Sequence, residues 1–380
     1  MFLQILLICT SLVQIVSTGC SGHHHHIGPA DHFKTAITNV LVWDGQKFPR
    51  SRSTVVFIDG VIADSNPVGA AVINGNGGYL IPGLIDSHVR ISDCSQLKAL
   101  QKFGVTTALD LGHYPYDPVK KCGEHGVTDL ASSGALGIVE GVPIGYCPAY
   151  PSPLLLPAIE AGEESVAAHV AAGVDYITLF LSPVGPDDAT IREVIKAAHK
   201  EGLQVIAHAA TYDLYAQAAR TGVDVAIGVP YDIGLDGAVI DSITSSKMKV
   251  VPSLFRINSD IQREPEFMYQ NSMQSIRSLL EAGNPVAAGS SSNDDADLLS
   301  ALPFGESLHM ELAMFVKAGL TPNQAIQAAT SIPASIFGMH DRGAIKPGMR
   351  ADLILLSADP TADIGNTRKI VKVWVEGLSK

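Results

Sequence analysis

His88 and Arg90 stand two residues apart at the end of an apolar stretch that predicts a buried strand. Side chains two apart on a strand point to the same face, so the imidazole and the guanidinium are expected to share one site. A guanidinium has five N–H donors and no lone pair, so it cannot ligate a cation. It can bind a carboxylate, enolate or phenolate, while the histidine can move a proton near neutral pH.

Other polar residues stand where further predicted strands end. Carboxylates beside imidazoles can orient the ring and stabilise its charged form, as in hydrolytic triads. The sequence lacks a Gly-x-Ser-x-Gly motif, which argues against an ordinary serine hydrolase. The predicted catalytic residues are His88, Arg90, His208, Asp110, His113 and Asp232. The predicted substrate-binding residues are Thr178, Tyr231, Ser291 and Asp294.

Alternating strands and helices would carry these residues to one edge of a parallel sheet. Between 83 and 340 the sequence repeats a strand-then-helix pattern, with amphipathic helical stretches at 165–172, 187–200 and 212–221. The predicted strands lie at 84–90, 105–110, 135–140, 174–181, 203–208, 223–228, 249–254 and 285–289. Eight such units predict an α/β fold of the (β/α)₈ TIM-barrel type.

The two ends of the chain have a different pattern. Residues 34–82 alternate short apolar runs with Asp-Gly turns, which indicate hairpins, and residues 341–380 return to short strands. We therefore predict a small β-sandwich domain built from both chain termini, beside a barrel at 83–340. An apolar stretch followed by small residues at 1–21 predicts a signal peptide, and hence a secreted protein without a stable membrane span.

Composition limits the partners of the chain. Its 380 residues are 46% hydrophobic, enough for one large core and a small satellite domain. The formal charge of −12 argues against nucleic acid or an anionic membrane as a partner, since either would require a basic surface. Cys94, Cys122 and Cys147 would remain after signal cleavage, so at most one disulfide can form and its pairing is open.

Three longer motifs resemble the amidohydrolase superfamily, in its imidazolonepropionase and prolidase-like branch. They are Pro82-Gly-Leu-Ile-Asp-Ser-His88, the segment 312–330, and Asp341-Arg-Gly-Ala-Ile-Lys-Pro-Gly348 followed by Ala351-Asp-Leu353. The resemblance covers residues 36–377. It implies a distorted barrel flanked by a β sandwich, with the site at the carboxyl ends of the strands. It also implies a small-molecule substrate and allows a homodimer.

The resemblance further implies one or two divalent metals and six ligand positions. These are two histidines on the first strand, a carboxylated lysine on the fourth, a histidine each on the fifth and sixth, and an aspartate on the eighth. His88 and His208 match two of them. The other four positions are taken by Arg90, Thr178, Gly228 and Ser291. Catalytic zinc uses three protein ligands and the charge of Arg90 opposes a cation, so we predict no metal and no other cofactor.

Three functions stay open on the sequence. The first is a metal-independent enzyme that uses His and Arg in acid–base chemistry, such as dehydration, isomerisation or cyclisation of a small apolar molecule, in secondary metabolism. The second is a metal-dependent amide or ester hydrolase with a reduced one-metal site, for which His88 and His208 are the remaining ligand candidates. The third is a non-catalytic relative that binds a ligand.

Overall fold

The computed structural model describes residues 33–112, 122–137, 162–261, 266–294 and 301–379. The predicted signal peptide at 1–21, the catalytic candidate His113 and Cys147 lie outside these residues. Within the described part of the chain, no helix combines the length and the apolar composition needed to cross a bilayer.

Strands occur in two groups, one at the ends of the chain and one in its middle. Those of the first group are β1 (Lys34–Val42), β2 (Ser53–Ile58), β3 (Val61–Ala63), β4 (Ala71–Asn74), β5 (Tyr79–Pro82), β13 (Leu353–Leu356) and β14 (Ile370–Trp374). Those of the second are β6 (Leu84–Val89), β7 (Val105–Asp110), β8 (Asp129–Ser132), β9 (Ile177–Phe180), β10 (Val205–His208), β11 (Val225–Ile227) and β12 (Lys249–Val251).

Five described helices lie between the strands of the second group, and five more follow β12. They are α1 (Cys94–Lys102), α2 (Glu163–Ala172), α3 (Asp188–Lys200), α4 (Tyr212–Thr221), α5 (Gly237–Ser246), α6 (Leu254–Ile261), α7 (Glu266–Glu281), α8 (Glu306–Ala318), α9 (Pro322–Ala328) and α10 (Ser331–Ile336). Local signals set many of their ends. For example, the side chain of Asp187 accepts from Thr190 N at the start of α3, and Gly222 in the left-handed conformation ends α4.

Strands from both ends of the chain share one seven-stranded sheet. Its order is β14-β13-β5-β1-β2-β3, and β4 pairs with β1. The turn between β2 and β3 consists of Asp59 and Gly60, both with positive φ (49° and 81°), as a two-residue hairpin turn requires. The boundaries of a separate sandwich domain stay a prediction.

The strands of the second group pair in parallel. One sheet has the order β6-β7-β8 and another the order β12-β11-β10-β9. Three isolated parallel bridges lie beyond these sheets, namely Val89 to Ser292, Gly137 to Leu179 and Val250 to Val286. Parallel pairing brings the carboxyl ends of neighbouring strands to a common edge, which is where the candidate site lies.

The third strand differs from its predicted position. The sequence predicts a strand at 135–140, whereas β8 spans Asp129–Ser132. The described residues 135–137 of the predicted stretch make one isolated bridge, from Gly137. An aspartate opens β8, which weakened its apolar pattern, and this carboxylate is held by Arg342 and Arg350. At this position ion pairs stabilise the strand, whereas the prediction relied on buried apolar side chains.

Buried apolar residues fill the space around the parallel strands. The largest cluster joins these strands to the helices, and a second cluster takes alternate strand residues such as Leu109, Ile206 and Val225 together with Phe337 beyond α10. A disulfide links Cys94, the first residue of α1, to Cys122, with Cα atoms 5.2 Å apart. These contacts hold the strand ends that carry the polar residues described next.

Candidate active site

Two histidines meet where β6 and β10 end. His88 is buried, and its ring centroid lies 5.2 Å from that of His208 in an edge-to-face arrangement. The Nδ1 atom of His88 is 3.0 Å from Ser253 Oγ, and the Nε2 atom of His208 is 3.3 Å from the carbonyl oxygen of Leu111. The prediction that both histidines share a site therefore agrees with the geometry.

Arg90 follows β6 and adds a positive charge to this pair. Its backbone N–H donates to the carbonyl of Ser292 at 2.9 Å, which fixes the chain at this point. Arg90 and His208 are partly exposed, while His88 is almost fully buried. A substrate arriving from solvent would therefore meet the guanidinium and the His208 ring first.

Both imidazoles are neutral at physiological pH. Burial, and after it the charge of Arg90, lowers the pKa of His208 to about 4. Burial, together with the charges of His208, Arg90 and Arg256, lowers the pKa of His88 well below its usual value. A carbonyl can only accept a hydrogen bond, so His208 carries its proton on Nε2 and keeps a lone pair on Nδ1. His208 is thus arranged as a base.

Buried carboxyl groups lie beneath the site. Asp110 accepts from Ile91 N (3.1 Å) and from Ser132 Oγ (2.7 Å), yet burial raises its pKa to about 7 against these bonds and the charge of Arg90. Asp110 therefore lies in the neighbourhood of Arg90 and has a pKa near neutral pH, while its catalytic role stays a prediction.

Asp86 is a second such carboxyl, which sequence reasoning did not single out. It accepts from the backbone N and the Oγ of Ser290 at 2.8 and 2.6 Å, and burial raises its pKa to about 7. These bonds tie β6 to the segment that contains Ser290. The family-like Ile-Asp-Ser-His motif was the available signal, because its aspartate lies on a fully buried strand.

Two predicted substrate-binding residues lie on segments that pair with or hydrogen-bond to the strands of the histidines. Thr178 is fully buried on β9, and among the described residues its hydroxyl has no hydrogen-bond partner. Ser291 has a positive φ of 56°, and its backbone N–H donates to the carbonyl of His88 at 2.7 Å. The structure brings both residues close to β6 or β10, through direct pairing of β9 with β10 and through this hydrogen bond.

The remaining predicted residues have other contacts. Asp294 accepts from Ser92 Oγ at 3.0 and 3.1 Å and from Gln96 Nε2 at 2.6 Å, so it fastens the start of α1. Asp232 accepts from Tyr212 N (2.9 Å) at the first residue of α4, and the carbonyl of Tyr231 accepts from an α7 side chain, Asn271.

Sequence reasoning missed the serine whose hydroxyl contacts His88. Ser253 lies between β12 and α6 with φ at 50°, and its hydroxyl contacts His88. The first two N–H groups of α6, those of Leu254 and Phe255, donate to the buried carboxylate oxygens of Glu311 at 2.9 and 2.6 Å. These contacts join residues far apart in the sequence, so no local sequence pattern could predict them.

The residues at this site do not fit the divalent metals that the resemblance implies. Two imidazoles face a guanidinium, and the other positions offer a threonine and a serine hydroxyl and no side chain at Gly228. Gly228 has a φ of 87°, and a Cβ there would lie 2.9 Å from the carbonyl oxygen of Ala209, so the backbone is closed to a histidine. The described residues contain no group of three His, Cys, Asp or Glu side chains suited to a metal.

Comparison with known proteins gives one family and several relatives. A family model described as "Amidohydrolase family" matches residues 79–379. Adenine deaminase 2 of Desulfotalea psychrophila is 25% identical over 90% of this chain and 56% of its own length. An imidazolonepropionase of Deinococcus deserti is 28% identical over 56% of this chain and 49% of its own. The chain spans about half the length of the curated relatives it matches.

Solved structures share the architecture. A Xaa-Pro dipeptidase structure superposes with a TM-score of 0.74 at 20% identity, covering 91% of this chain and 99% of that chain. At that level of identity the likeness concerns the fold alone. It agrees with an α/β architecture in which parallel strands carry the polar residues at their carboxyl ends.

Proposed function

Since the chain belongs to the amidohydrolase family, we propose that it is an enzyme that hydrolyses a small-molecule substrate, with Arg90 and His208 in place of a metal-bound hydroxide. The observation that carries this proposal is the meeting of a guanidinium with two neutral imidazoles at the carboxyl ends of parallel strands. Adenine deaminases and imidazolonepropionases are hydrolytic enzymes, which supports the reaction class.

The proposed step begins with a water molecule beside His208. Its oxygen bonds to the carbonyl carbon of the substrate as its proton passes to Nδ1 of His208. The negative charge that develops on the carbonyl oxygen lies against Arg90. The carbon–nitrogen or carbon–oxygen bond then breaks, and the leaving group takes the proton from His208.

Arg90 also adjusts the strength of this base. Its charge contributes to the low pKa of His208 in the free protein. An oxyanion beside the guanidinium cancels much of that charge, so the pKa of His208 rises as the transition state forms. Nδ1 of His208 is therefore unprotonated before the reaction and becomes a better base during it.

A second reaction class is favoured by the same pair of groups. Removing a proton next to a carbonyl needs a base and a cationic partner for the enolate, and His208 and Arg90 supply these without a positioned water. The candidate is a metal-independent dehydration, isomerisation or cyclisation of a small apolar molecule, such as a secondary metabolite. It differs from hydrolysis in whether oxygen from solvent enters the product.

Turnover of a panel of small esters, lactones and cyclic amides in ¹⁸O-labelled water tests both classes. Hydrolysis incorporates the label, is insensitive to a strong chelator, and falls at least ~100-fold in His208→Ala. His199→Ala is the matched control, because His199 is on α3 and pairs with Asp224. Label-free conversion would favour the second class, and activity that a chelator abolishes would overturn the metal-independent proposal.

We propose that the two parallel sheets are arcs of one distorted (β/α)₈ barrel, with a β sandwich beside it. The three isolated parallel bridges support this, because each connects a strand at a sheet edge with a further segment. We also propose a secretory location, which the disulfide between Cys94 and Cys122 supports. Extracellular recovery of the oxidised protein from a eukaryotic culture would test the location.

A further inference from the structure

Ser253 breaks the usual rule for a serine at the start of a helix. Its carbonyl accepts from Ile257 N at 3.2 Å, so Ser253 stands at the N-cap of α6. An N-cap serine ordinarily has an extended backbone and turns its hydroxyl to the first N–H groups of the helix. Ser253 instead has a φ of 50°, and its hydroxyl lies 3.0 Å from Nδ1 of His88.

Glu311 performs the capping that Ser253 does not. Its two carboxyl oxygens accept from Leu254 N and Phe255 N, although Glu311 is fully buried on α8 and burial raises its pKa to about 8. A positive φ at a residue other than glycine and a buried carboxyl are both unfavourable. Together, the backbone conformation of Ser253 and the capping by Glu311 leave the serine hydroxyl free of a capping role and in contact with the His88 ring.

This arrangement has the parts of an activated nucleophile. The serine lies on a sharp turn from a strand (β12) to a helix (α6), as nucleophilic serines do in other folds. Its neighbour His88 is buried and neutral, so Nδ1 can accept the hydroxyl proton. The guanidinium groups of Arg90 and Arg256 also lie in the neighbourhood of His88, since their charges, after burial and the charge of His208, lower its pKa.

We propose that Ser253 is a nucleophile with His88 as its base, and that the reaction proceeds through an acyl-serine. This deepens the proposed hydrolytic function and rests on it. Ser253 Oγ bonds to the substrate carbonyl carbon while its proton passes to His88, and the leaving group departs with that proton. Water then attacks the acyl group and gives its proton to His208. His208 releases this proton to solvent, and the departing serine oxygen takes a proton from solvent through His88, so the serine and both histidines are restored.

A small alkyl fluorophosphonate tests the nucleophile directly on the full chain. The serine oxygen bonds to phosphorus, fluoride leaves, and peptide mass spectrometry locates the adduct. We expect the adduct on Ser253 in the wild type, its absence in Ser253→Gly, and labelling at least ~100-fold slower in His88→Ala. Glycine suits a φ of 50°, so Ser253→Gly removes the hydroxyl without straining the backbone.

Lys247→Gly is the matched control, because Lys247 also has a positive φ (61°) and ends α5. It should label and turn over at the wild-type rate, whereas turnover of panel substrates should fall at least ~100-fold in Ser253→Gly. An unlabelled Ser253 in the wild type, or wild-type turnover in Ser253→Gly, would overturn the proposal. Loss of activity in His208→Ala with full activity in Ser253→Gly would leave direct hydrolysis standing and remove the acyl-serine alone.

Discussion

Arginine side chains occur in two regions of this molecule, and the groups around the guanidinium differ between the two. Arg342 donates to Asp129 at 2.6 Å and to Asp341 at 2.8 Å, and Arg350 donates to Asp129 at 2.9 Å. The hydrogen bond from Arg342 lowers the pKa of Asp341. In this ion-pair region, the positive charges are matched by ionised carboxylates on neighbouring segments.

Arg90, in the candidate active site, acts on groups of another kind. Burial is the main cause of the lowered pKa of both His208 and His88, and the charge of Arg90 adds to it, so both rings stay neutral. The nearby Asp110 has a pKa raised by burial to about 7 and gives up its proton only near neutral pH. The two regions therefore differ in the described acids near each arginine: Asp341 is half-exposed and has a lowered pKa, whereas Asp110 is buried and has a raised pKa.

Replacement of Arg90 should have the largest effect on activity. We expect Arg90→Met to lower kcat/KM about 10³-fold, because the oxyanion loses its cationic partner. The variant should remain folded, since methionine fills much of the same volume. Steady-state kinetics beside thermal unfolding measures both quantities. If kcat/KM of Arg90→Met stayed within twofold of the wild-type value, Arg90 would have no catalytic role that distinguishes it from the arginines of the ion-pair region.

The pH profile of the wild type should sharpen the contrast further. His208 acts as a base only when neutral, so kcat/KM should be flat near neutral pH and fall about tenfold per unit once the pH drops below the pKa of His208, about 4. In Arg90→Met the midpoint of this fall should move to higher pH, because a lowering charge is gone. A midpoint that does not move would show that Arg90 lies too far from the base to influence it.

Arg342 should behave in the opposite way. Arg342→Met leaves Asp129 and Asp341 with fewer donors and should lower the free energy of unfolding by about 2 kcal/mol, with kcat/KM unchanged. Denaturant titration measures the loss. Arg192→Met is the control, since Arg192 is exposed and its ion pair with Asp188 should contribute less than ~0.5 kcal/mol. A catalytic defect in Arg342→Met would contradict a purely structural role.

Six of the eight predicted parallel strands are present, whereas the predicted strand 285–289 is reduced to an isolated bridge at Val286 and β8 lies before its predicted position. The predicted strand 203–208 contains β10, and the predicted helix 212–221 has the bounds of α4, because apolar periodicity and a terminal glycine define both. The strand β8 was missed because Asp129 opens it, and its partner Arg342 lies 213 residues away. Contacts between distant residues leave no trace in a local pattern.

The same limit applies inside the site. His88, Arg90 and His208 could be predicted because each stands at the end of an apolar strand. Ser253 could not, because its backbone conformation and its contact with a histidine 165 residues away depend on the completed fold. Glu311 lies on a helix, where an acidic residue is ordinarily assigned to the surface.

Glu311 offers a smaller effect that depends on pH. The group keeps its proton in the folded chain up to a pKa of about 8, whereas an exposed glutamate ionises near 4.5. Its contribution to stability is therefore complete below pH 4.5 and is lost as the pH rises through 8. The loss is up to about 1.4 kcal/mol per pH unit. Between pH 7 and 8, Glu311 should dominate, because burial raises the pKa of Asp86 and Asp110 only to about 7.

Glu311→Gln isolates this contribution, since glutamine can accept an N–H from the start of α6 but does not titrate. Denaturant unfolding at pH 7 and at pH 8 should show a smaller decline in stability for the variant than for the wild type. An equal decline would mean that other groups bind the proton. In the ion-pair region the sign is reversed, because a carboxylate such as Asp341 has a lowered pKa and stabilises the fold once ionised.

The smallest expected change concerns metal binding. Arg90→His restores a second imidazole beside His88, and this substitution is the most direct attempt to convert the site into a metal centre. We expect no nanomolar affinity for zinc, measured by calorimetry and by elemental analysis after dialysis. The wild type treated in the same way is the control. Stoichiometric zinc retained by the variant against a chelator would contradict this expectation.

The reason lies in the backbone as well as in the missing side chains. Thr178 and Ser291 offer neutral hydroxyls, which are weak ligands for zinc compared with a carboxylate or an imidazole. Gly228 cannot be exchanged for histidine without strain, because its φ is 87° and a Cβ would press on the carbonyl of Ala209. The single substitution Arg90→His therefore removes the guanidinium, but the other ligand positions still lack metal-binding side chains. Conversion of this site into a metal centre would therefore require changes in several segments together.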